Sequence, residues 1–200
     1  MPLNVPNLLT WLRILMIPVV IGVFYVPEPW LSSWQRNLIA TVVFAVAAIT
    51  DWLDGYLARK LNQQSAFGAF LDPVADKLMI AASLIVLVEL ERVNAIIAFV
   101  IIGREIAISA MREWMAKIGK SKSVAVNFLG KVKTISQMIA VPLLLYHDRI
   151  GPFNPQQIGR WLIYLAAILT LVSMFNYLQR AMAPRAPGDR RRIDRRGTGP

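Results

Sequence analysis

Four aspartates, Asp51, Asp54, Asp72 and Asp76, stand in the stretch DWLDGYLARKLNQQSAFGAFLDPVAD, directly after the apolar run LIATVVFAVAAIT. Their spacings are 3, 18 and 4 residues. On a helix, positions three or four apart share a face. Asp51, Asp54, Gly55, Ala58 and Arg59 therefore form one stripe, and Gly68, Asp72 and Asp76 another. A hairpin at about Asn62 to Ala66 would turn the two stripes toward each other. Four carboxylates brought together cannot all stay ionised unaided; they share protons or bind divalent cations. Oxygen donors without histidine or cysteine favour Mg²⁺ or Mn²⁺. Two such ions, about 3.5–4 Å apart, clamp a phosphoryl group during displacement. Neighbouring residues suit that use. Gly55 and Ala58 clear side-chain bulk so that a ligand can approach the backbone, and Arg59 offers a forked donor to phosphate oxygens. Gly68 either clears space in the same way or opens the turn. The plainer alternative pairs these acids with bases such as Arg59 and Lys77. Against it, an aspartate at a membrane helix centre costs about 2.5–3.5 kcal/mol on insertion scales, and four of them at shared-face spacing argue for a site.

The elements that must position these stripes are legible in the hydropathy. Of the 200 residues, 56% are hydrophobic, and the mean hydropathy is +0.50; a soluble domain is more polar. Six apolar segments run about Leu8 to Val26, Leu38 to Leu57, Phe70 to Leu90, Val93 to Met115, Phe128 to Tyr146 and Ile158 to Leu178. Most approach the roughly 20 residues that a bilayer-spanning helix needs. Breakers such as PEPW and DRIGPFNP separate some of them. The expectation is an all-α integral membrane protein with six transmembrane helices in one domain, 1–180. A basic tail, 181–200, follows and is expected to be disordered. The first apolar run has no basic leader and no small-residue cleavage site, so no removable secretory signal is expected. With no cysteine, disulfides, thiolate catalysis and Cys-based metal sites are excluded. One histidine, His147, excludes a His-rich centre and is expected at the surface.

The net charge of +10 is informative through its location. Arg59, Lys60, Lys117, Lys120, Lys122, Lys131 and Lys133 fall on one set of connections, together with the arginines of the tail. Arg36, Arg92, Arg149 and Arg160 fall on the other. By the excess of basic residues on cytoplasmic loops, both termini and the acidic stretch face the cytoplasm. Trp11, Trp30, Trp34, Trp52, Trp114 and Trp161 lie near predicted helix ends, as an interfacial belt does. The arginine tail suits anionic lipid rather than nucleic acid.

A phosphorylated co-substrate would need its own basic pocket. Arg104 and Arg112 are eight residues apart, on one face of the fourth helix. Glu105, Ser109 and Arg112 also share a face, so Glu105 is placed to orient an arginine. Lys131 and Lys133 point to roughly opposite faces of the fifth helix if both are helical. The alternative for all these bases is anchoring at the headgroups. No Ser–His pair or reactive thiol is evident, so direct displacement is favoured over a covalent enzyme intermediate.

The pattern D-x-x-D-G-x-x-A-R, eight residues, then G-x-x-x-D-x-x-x-D is matched at every position, by Asp51, Asp54, Gly55, Ala58, Arg59, Gly68, Asp72 and Asp76. In this the chain resembles the CDP-alcohol phosphotransferase family. The likeness continues in NVPNLLTWLRILMIPV near the start, GREIAISAMREWMA at 103–116 and SVAVNFLGKVKTISQMIAV at 123–141, and reaches about residue 180. It implies the CDP-alcohol phosphotransferase fold, usually a homodimer, in the bacterial inner membrane with its active site facing the cytoplasm. It implies transfer of the phosphatidyl group of CDP-diacylglycerol to the hydroxyl of sn-glycerol 3-phosphate, with release of CMP. Asp51, Asp54, Asp72 and Asp76 would hold two Mg²⁺ or Mn²⁺ ions, and Asp76 would also serve as general base. Gly55, Ala58 and Arg59, with Gly68, would contact the lipid donor. Asn7 and Thr10, at the start of the first helix, either cap it or touch the nucleotide. Arg104, Arg112, Lys131 and Lys133 would receive the acceptor phosphate.

Rival readings keep the membrane and change the chemistry. Within the family the acceptor could be inositol phosphate or phosphatidylglycerol. Outside it, intramembrane prenyltransferases use Asp-rich motifs with Mg²⁺, but separated by longer stretches. A cation channel lined by acids would not require Gly55, Ala58 and Arg59 at their spacing.

Overall fold

A computed structural model describes residues 5–60, 66–117 and 128–182. The turn expected at about 62–66 (up to Ser65), Lys120, Lys122 and the basic tail beyond Met182 lie outside the described residues, as do the side chains of residues 54–59 and of Lys131. Among the described residues there are six α-helices: α1 Val5–Gly22, continued by a 3₁₀ turn Val23–Tyr25, α2 Ser33–Lys60, α3 Ala66–Glu89, α4 Ala95–Lys117, α5 Phe128–Tyr146 and α6 Pro155–Met182. No strand occurs among the described residues.

Each helix overlies one apolar segment, but several begin earlier, because hydropathy does not register a polar first turn. Caps mark the starts of α2, α4 and α6. Ser32 and Gln35 form a reciprocal box before α2: the Gln35 amide N–H donates to Ser32 Oγ at 3.3 Å, and the Ser32 N–H to Gln35 Oε1 at 2.8 Å. Asn94 Oδ1 accepts from Ile96 N–H at 2.8 Å, and Asn154 Oδ1 from Gln157 N–H at 3.2 Å, with Pro155 opening α6. The helices arriving at the same end, α3 and α5, each stop at a left-handed residue, Glu91 (φ 56°) and His147 (φ 61°). Pro73 lies in the interior of α3, so the Ala69 carbonyl cannot receive the usual helical hydrogen bond.

α1 packs on both α2 and α3, which touch each other little; α4 packs on α3 and α6, α2 on α5, and α5 along α6. α5 and α6 approach closely at Gly159, where an added Cβ would lie 2.8 Å from Leu144 Cγ and 3.1 Å from the Ala140 carbonyl oxygen. Phe44, Leu84, Leu87, Ile101, Val141, Leu144 and Ile163 fill the centre. Phe70, Ile96 and Phe99 turn outward, at 66%, 70% and 75% exposure. An apolar exterior of this kind suits lipid rather than water. Three stretches, Asn7–Tyr25, Ser33–Leu53 and Pro155–Phe175, are long and apolar enough to cross a bilayer, and α5 has a shorter apolar stretch, Val132–Tyr146. α3 and α4 are interrupted by Asp72, Asp76 and Lys77, and by Arg104, Glu105 and Arg112.

The end where α2, α4 and α6 begin is tied by one guanidinium. Arg92 donates to the carbonyl oxygens of Leu144 and Leu145 at 3.1 and 2.7 Å and to Asn37 Oδ1 at 2.7 Å, and Asn37 Nδ2 donates to Asp148 Oδ2 at 2.9 Å. This satisfies carbonyls that the end of α5 would otherwise leave open. His147, expected at the surface, is half-buried beside this network. Burial first, then Arg92 and Arg160, hold its pKa below the ordinary histidine value.

Candidate active site

The acidic residues of α2 and α3 meet a polar edge of α1. Thr10 and Arg13 are three apart on α1 and both are 1% exposed. Thr10 Oγ1 donates to Asp72 Oδ1 at 2.5 Å, and Arg13 NH1 lies 2.6 Å from Asp51 Oδ1. Thr10 is thus inside the helix with its hydroxyl on α3, which is not a capping position. Arg13 was absent from the sequence-based candidates. Its signal was there to read: an arginine within an apolar run, one turn beyond Thr10, in a medium where a charge needs a partner. α1 therefore wedges between the acidic helices and supplies a counter-charge to one and a donor to the other.

Asp76, one turn further along α3, opens into a cleft of about 50 Å³. Lys77, Ile80, Glu105, Lys133, Thr134, Gln137 and Met138 complete its lining. The Asp76 carboxylate lies within electrostatic reach of Asp51, Arg13, Glu105 and Lys133, so charges from five helices bear on one point. The cation side is a buried network. Lys133, 4% exposed, donates to Glu105 Oε1 in a short ion pair. Arg104, 7% exposed, reaches the same oxygen through NH1 at 3.2 Å and holds Ser173 Oγ on α6 through NH2 at 2.8 Å. Ser173 in turn donates to the Thr170 carbonyl at 3.0 Å. Two cations share one carboxylate, so this set carries a net positive charge beside Asp76. An isolated buried cation would be strongly penalised; Glu105 makes the pair tolerable.

The remaining candidates are placed as follows. Asn7 is buried on α1 and Gly68 is buried near the start of α3. The backbone of 51–60 is helical, which keeps Asp51, Asp54, Gly55, Ala58 and Arg59 at the stripe spacing, although the side chains from Asp54 to Arg59 lie outside the described residues. Arg112 is exposed, whereas Arg104, its partner in the eight-residue spacing, is buried; neither lines the cleft itself, and Arg104 reaches it through Glu105. Glu105 orients Arg104 and Lys133, while Ser109 donates to the Glu105 carbonyl at 2.6 Å. Gln137, also unanticipated, is one turn beyond Lys133 on the cleft wall.

Asp51, Asp72 and Asp76 are hard oxygen donors, and the one histidine is at the opposite end of the bundle, so the donor type fits Mg²⁺ or Mn²⁺. Among the described residues no three acidic or histidine side chains stand close enough to hold an ion by themselves; the Asp54 side chain is outside that set.

An all-helical bundle with an apolar exterior and a charged cleft between its helices defines a membrane-embedded enzyme scaffold. The comparisons give it a family: residues 3–172 match the CDP-alcohol phosphatidyltransferase family, and the chain belongs to it. Curated relatives carry the name CDP-diacylglycerol–glycerol-3-phosphate 3-phosphatidyltransferase. Those of Escherichia coli (strain K12) and Shigella flexneri serotype 5b are each 46% identical over 185 residues, 92% of this chain and 97% of the relative. That of Salmonella choleraesuis is 45% identical over 183 residues, 90% of this chain and 96% of the relative.

Proposed function

We propose that this protein transfers the phosphatidyl group of CDP-diacylglycerol to a hydroxyl of sn-glycerol 3-phosphate, giving phosphatidylglycerophosphate and CMP. The observation that carries the reading is the cleft in which the Asp76 carboxylate faces the buried Lys133–Glu105–Arg104 network. A carboxylate able to take a proton beside cations able to hold a phosphate is what an acceptor bearing both a hydroxyl and a phosphate requires. The named activity of relatives that align over nearly their whole length supports the same reaction.

In this reading Asp76 accepts the proton of the attacking hydroxyl. Lys133 and Arg104 bind the acceptor phosphate, with Arg112 and Lys131 nearer the helix ends completing the basic set. Gly55, Ala58, Arg59 and Gly68 receive the cytidine diphosphate portion of the donor, and Asn7 and Thr10 border it from α1. Asp51, Asp54, Asp72 and Asp76 would hold two Mg²⁺ or Mn²⁺ ions, which supply charge neutralisation to the diphosphate and the departing CMP. Arg13 and Thr10 orient Asp51 and Asp72 from α1. The acceptor oxygen bonds to the lipid-linked phosphorus, the bond to CMP breaks, and CMP leaves as the anion.

All six helices span the bilayer in this reading, with both termini and the site on the cytoplasmic side of the bacterial inner membrane. Residues 1–180 form the catalytic domain and 181–200 a disordered basic tail, and the working unit is a homodimer. The deciding experiment supplies purified protein with CDP-diacylglycerol, Mg²⁺ and one acceptor at a time. CMP release is expected with sn-glycerol 3-phosphate, and not with inositol phosphate or phosphatidylglycerol. Release with either of the latter alone, or none with any, overturns the reading.

A further inference from the structure

Gln137 is 4% exposed, lines the cleft, and makes no side-chain hydrogen bond among the described residues. Its amide atoms are not among those sealed away from solvent, so they open onto the cleft and are available to a molecule that enters it. We infer that Gln137 is a specificity-determining residue whose amide hydrogen-bonds the non-reacting hydroxyl of the acceptor. This rests on the phosphatidyl-transfer reading and adds to it.

Three groups of glycerol 3-phosphate need partners: a dianionic phosphate, a terminal hydroxyl that reacts, and a middle hydroxyl that does not. Lys133 and Arg104 answer the phosphate, and Asp76 the reacting hydroxyl. Of the two neutral polar side chains on the wall, Thr134 donates its hydroxyl to the Gly130 carbonyl at 3.0 Å, which leaves Gln137 with both donor and acceptor atoms unused. Gln137 stands four residues from Lys133, hence on the same face of α5 and about 6 Å along its axis. A group held by Lys133 at one end therefore carries its middle carbon past Gln137. A neutral amide suits this position, since a second carboxylate would repel the phosphate and a second cation would compete for it.

A site built to hydrogen-bond a substrate hydroxyl rejects the analogue lacking it. The test compares sn-glycerol 3-phosphate with 3-hydroxypropyl phosphate, which keeps the phosphate and the reacting hydroxyl but lacks the middle one. The readout is CMP release from CDP-diacylglycerol with Mg²⁺. The wild-type protein is expected to prefer glycerol 3-phosphate by about tenfold or more in kcat/KM. Gln137→Met, close in size and without the amide, is expected to lose most of that preference. The loss should fall on glycerol 3-phosphate alone, leaving the KM for CDP-diacylglycerol near its original value. Gln137→Asn, whose amide is withdrawn by one methylene, should also narrow the preference. A wild-type protein that uses both acceptors equally overturns the inference, and that comparison needs no variant to fold. So does an unchanged preference in either variant, or an equal loss on both acceptors. Absence of CMP release by the wild type with glycerol 3-phosphate would instead sink the proposed reaction itself.

Discussion

Asp76 and Lys133 face the same cleft from helices that are distant in sequence, and their proposed roles separate kinetically. Asp76→Asn keeps shape and removes the proton acceptor. Its kcat should fall by about 10²–10⁴-fold, while binding of CDP-diacylglycerol, followed by calorimetry in nanodiscs, changes little. Turnover near the wild-type rate would remove Asp76 from that role. Lys133→Met removes a charge-assisted bond to phosphate, worth about 1.5–3 kcal/mol. The KM for glycerol 3-phosphate should therefore rise about tenfold or more, with that for the lipid donor steady; parallel rises would point to lost packing instead. At this scale the acids were legible because their types and spacings are local. Arg13 could have been found from its position in an apolar run. The Lys133–Glu105 pair could not: the two are 28 residues apart, and only the packing of both α4 and α5 on α3 decides which carboxylate a lysine meets.

The helices themselves depend on a few local devices and one close contact. Gly159 lets α6 lie against Leu144, Leu143 and Ala140 of α5. The 2.8 Å approach to Leu144 Cγ is too short for any Cβ unless the leucine moves. Gly159→Leu should destabilise the bundle by about 1–3 kcal/mol, a typical overpacking penalty, seen as a lower melting temperature in detergent with substrate KM values unchanged in the surviving fraction. A melting temperature equal to wild type would show that α6 can shift away freely. At the end of α5, the depressed pKa of His147 sets the sign of a pH effect. The folded state binds this proton less readily than the unfolded chain. The contribution is therefore fully kept above the ordinary value of about 6.5 and is lost as pH falls through it toward the lower folded pKa. His147→Asn, which tolerates a left-handed backbone, should flatten the fall in melting temperature on acidification. An unchanged slope would assign that fall to other groups.

For the whole molecule, the alternation of six helices puts the loop after α1 and the far end of α4 on opposite sides. The chain has no cysteine, so single introduced thiols report topology cleanly. Glu28→Cys and Lys117→Cys replace side chains that are 78% and 73% exposed. An impermeant maleimide should label Glu28→Cys in intact spheroplasts and Lys117→Cys only after permeabilisation. The reverse pattern would invert the proposed orientation, and labelling of both from outside would break the six-span reading. α3 and α4 are the helices on which that reading is most exposed, because their charges keep them from resembling spans by composition. Of those charges, Asp76, Lys77 and Glu105 line one interior cleft, where a membrane protein can hold them paired.

The sequence by itself determined the helical class, the positions of the six described helices to within five residues at each end, the apolar exterior, and the family signature on α2 and α3. These depend on short-range periodicity, composition and the spacing of residues along one helix. Only the tertiary structure decided that α1 is the partner of Asp51 and Asp72, that Arg104 is buried while Arg112 is exposed, and that Glu105 holds Lys133 beside Asp76. It alone also left the Gln137 amide open to the cleft. Such pairings depend on which helix faces meet, and in a bundle whose faces are apolar over most of their length, hydrophobicity alone does not choose among the ways of docking them.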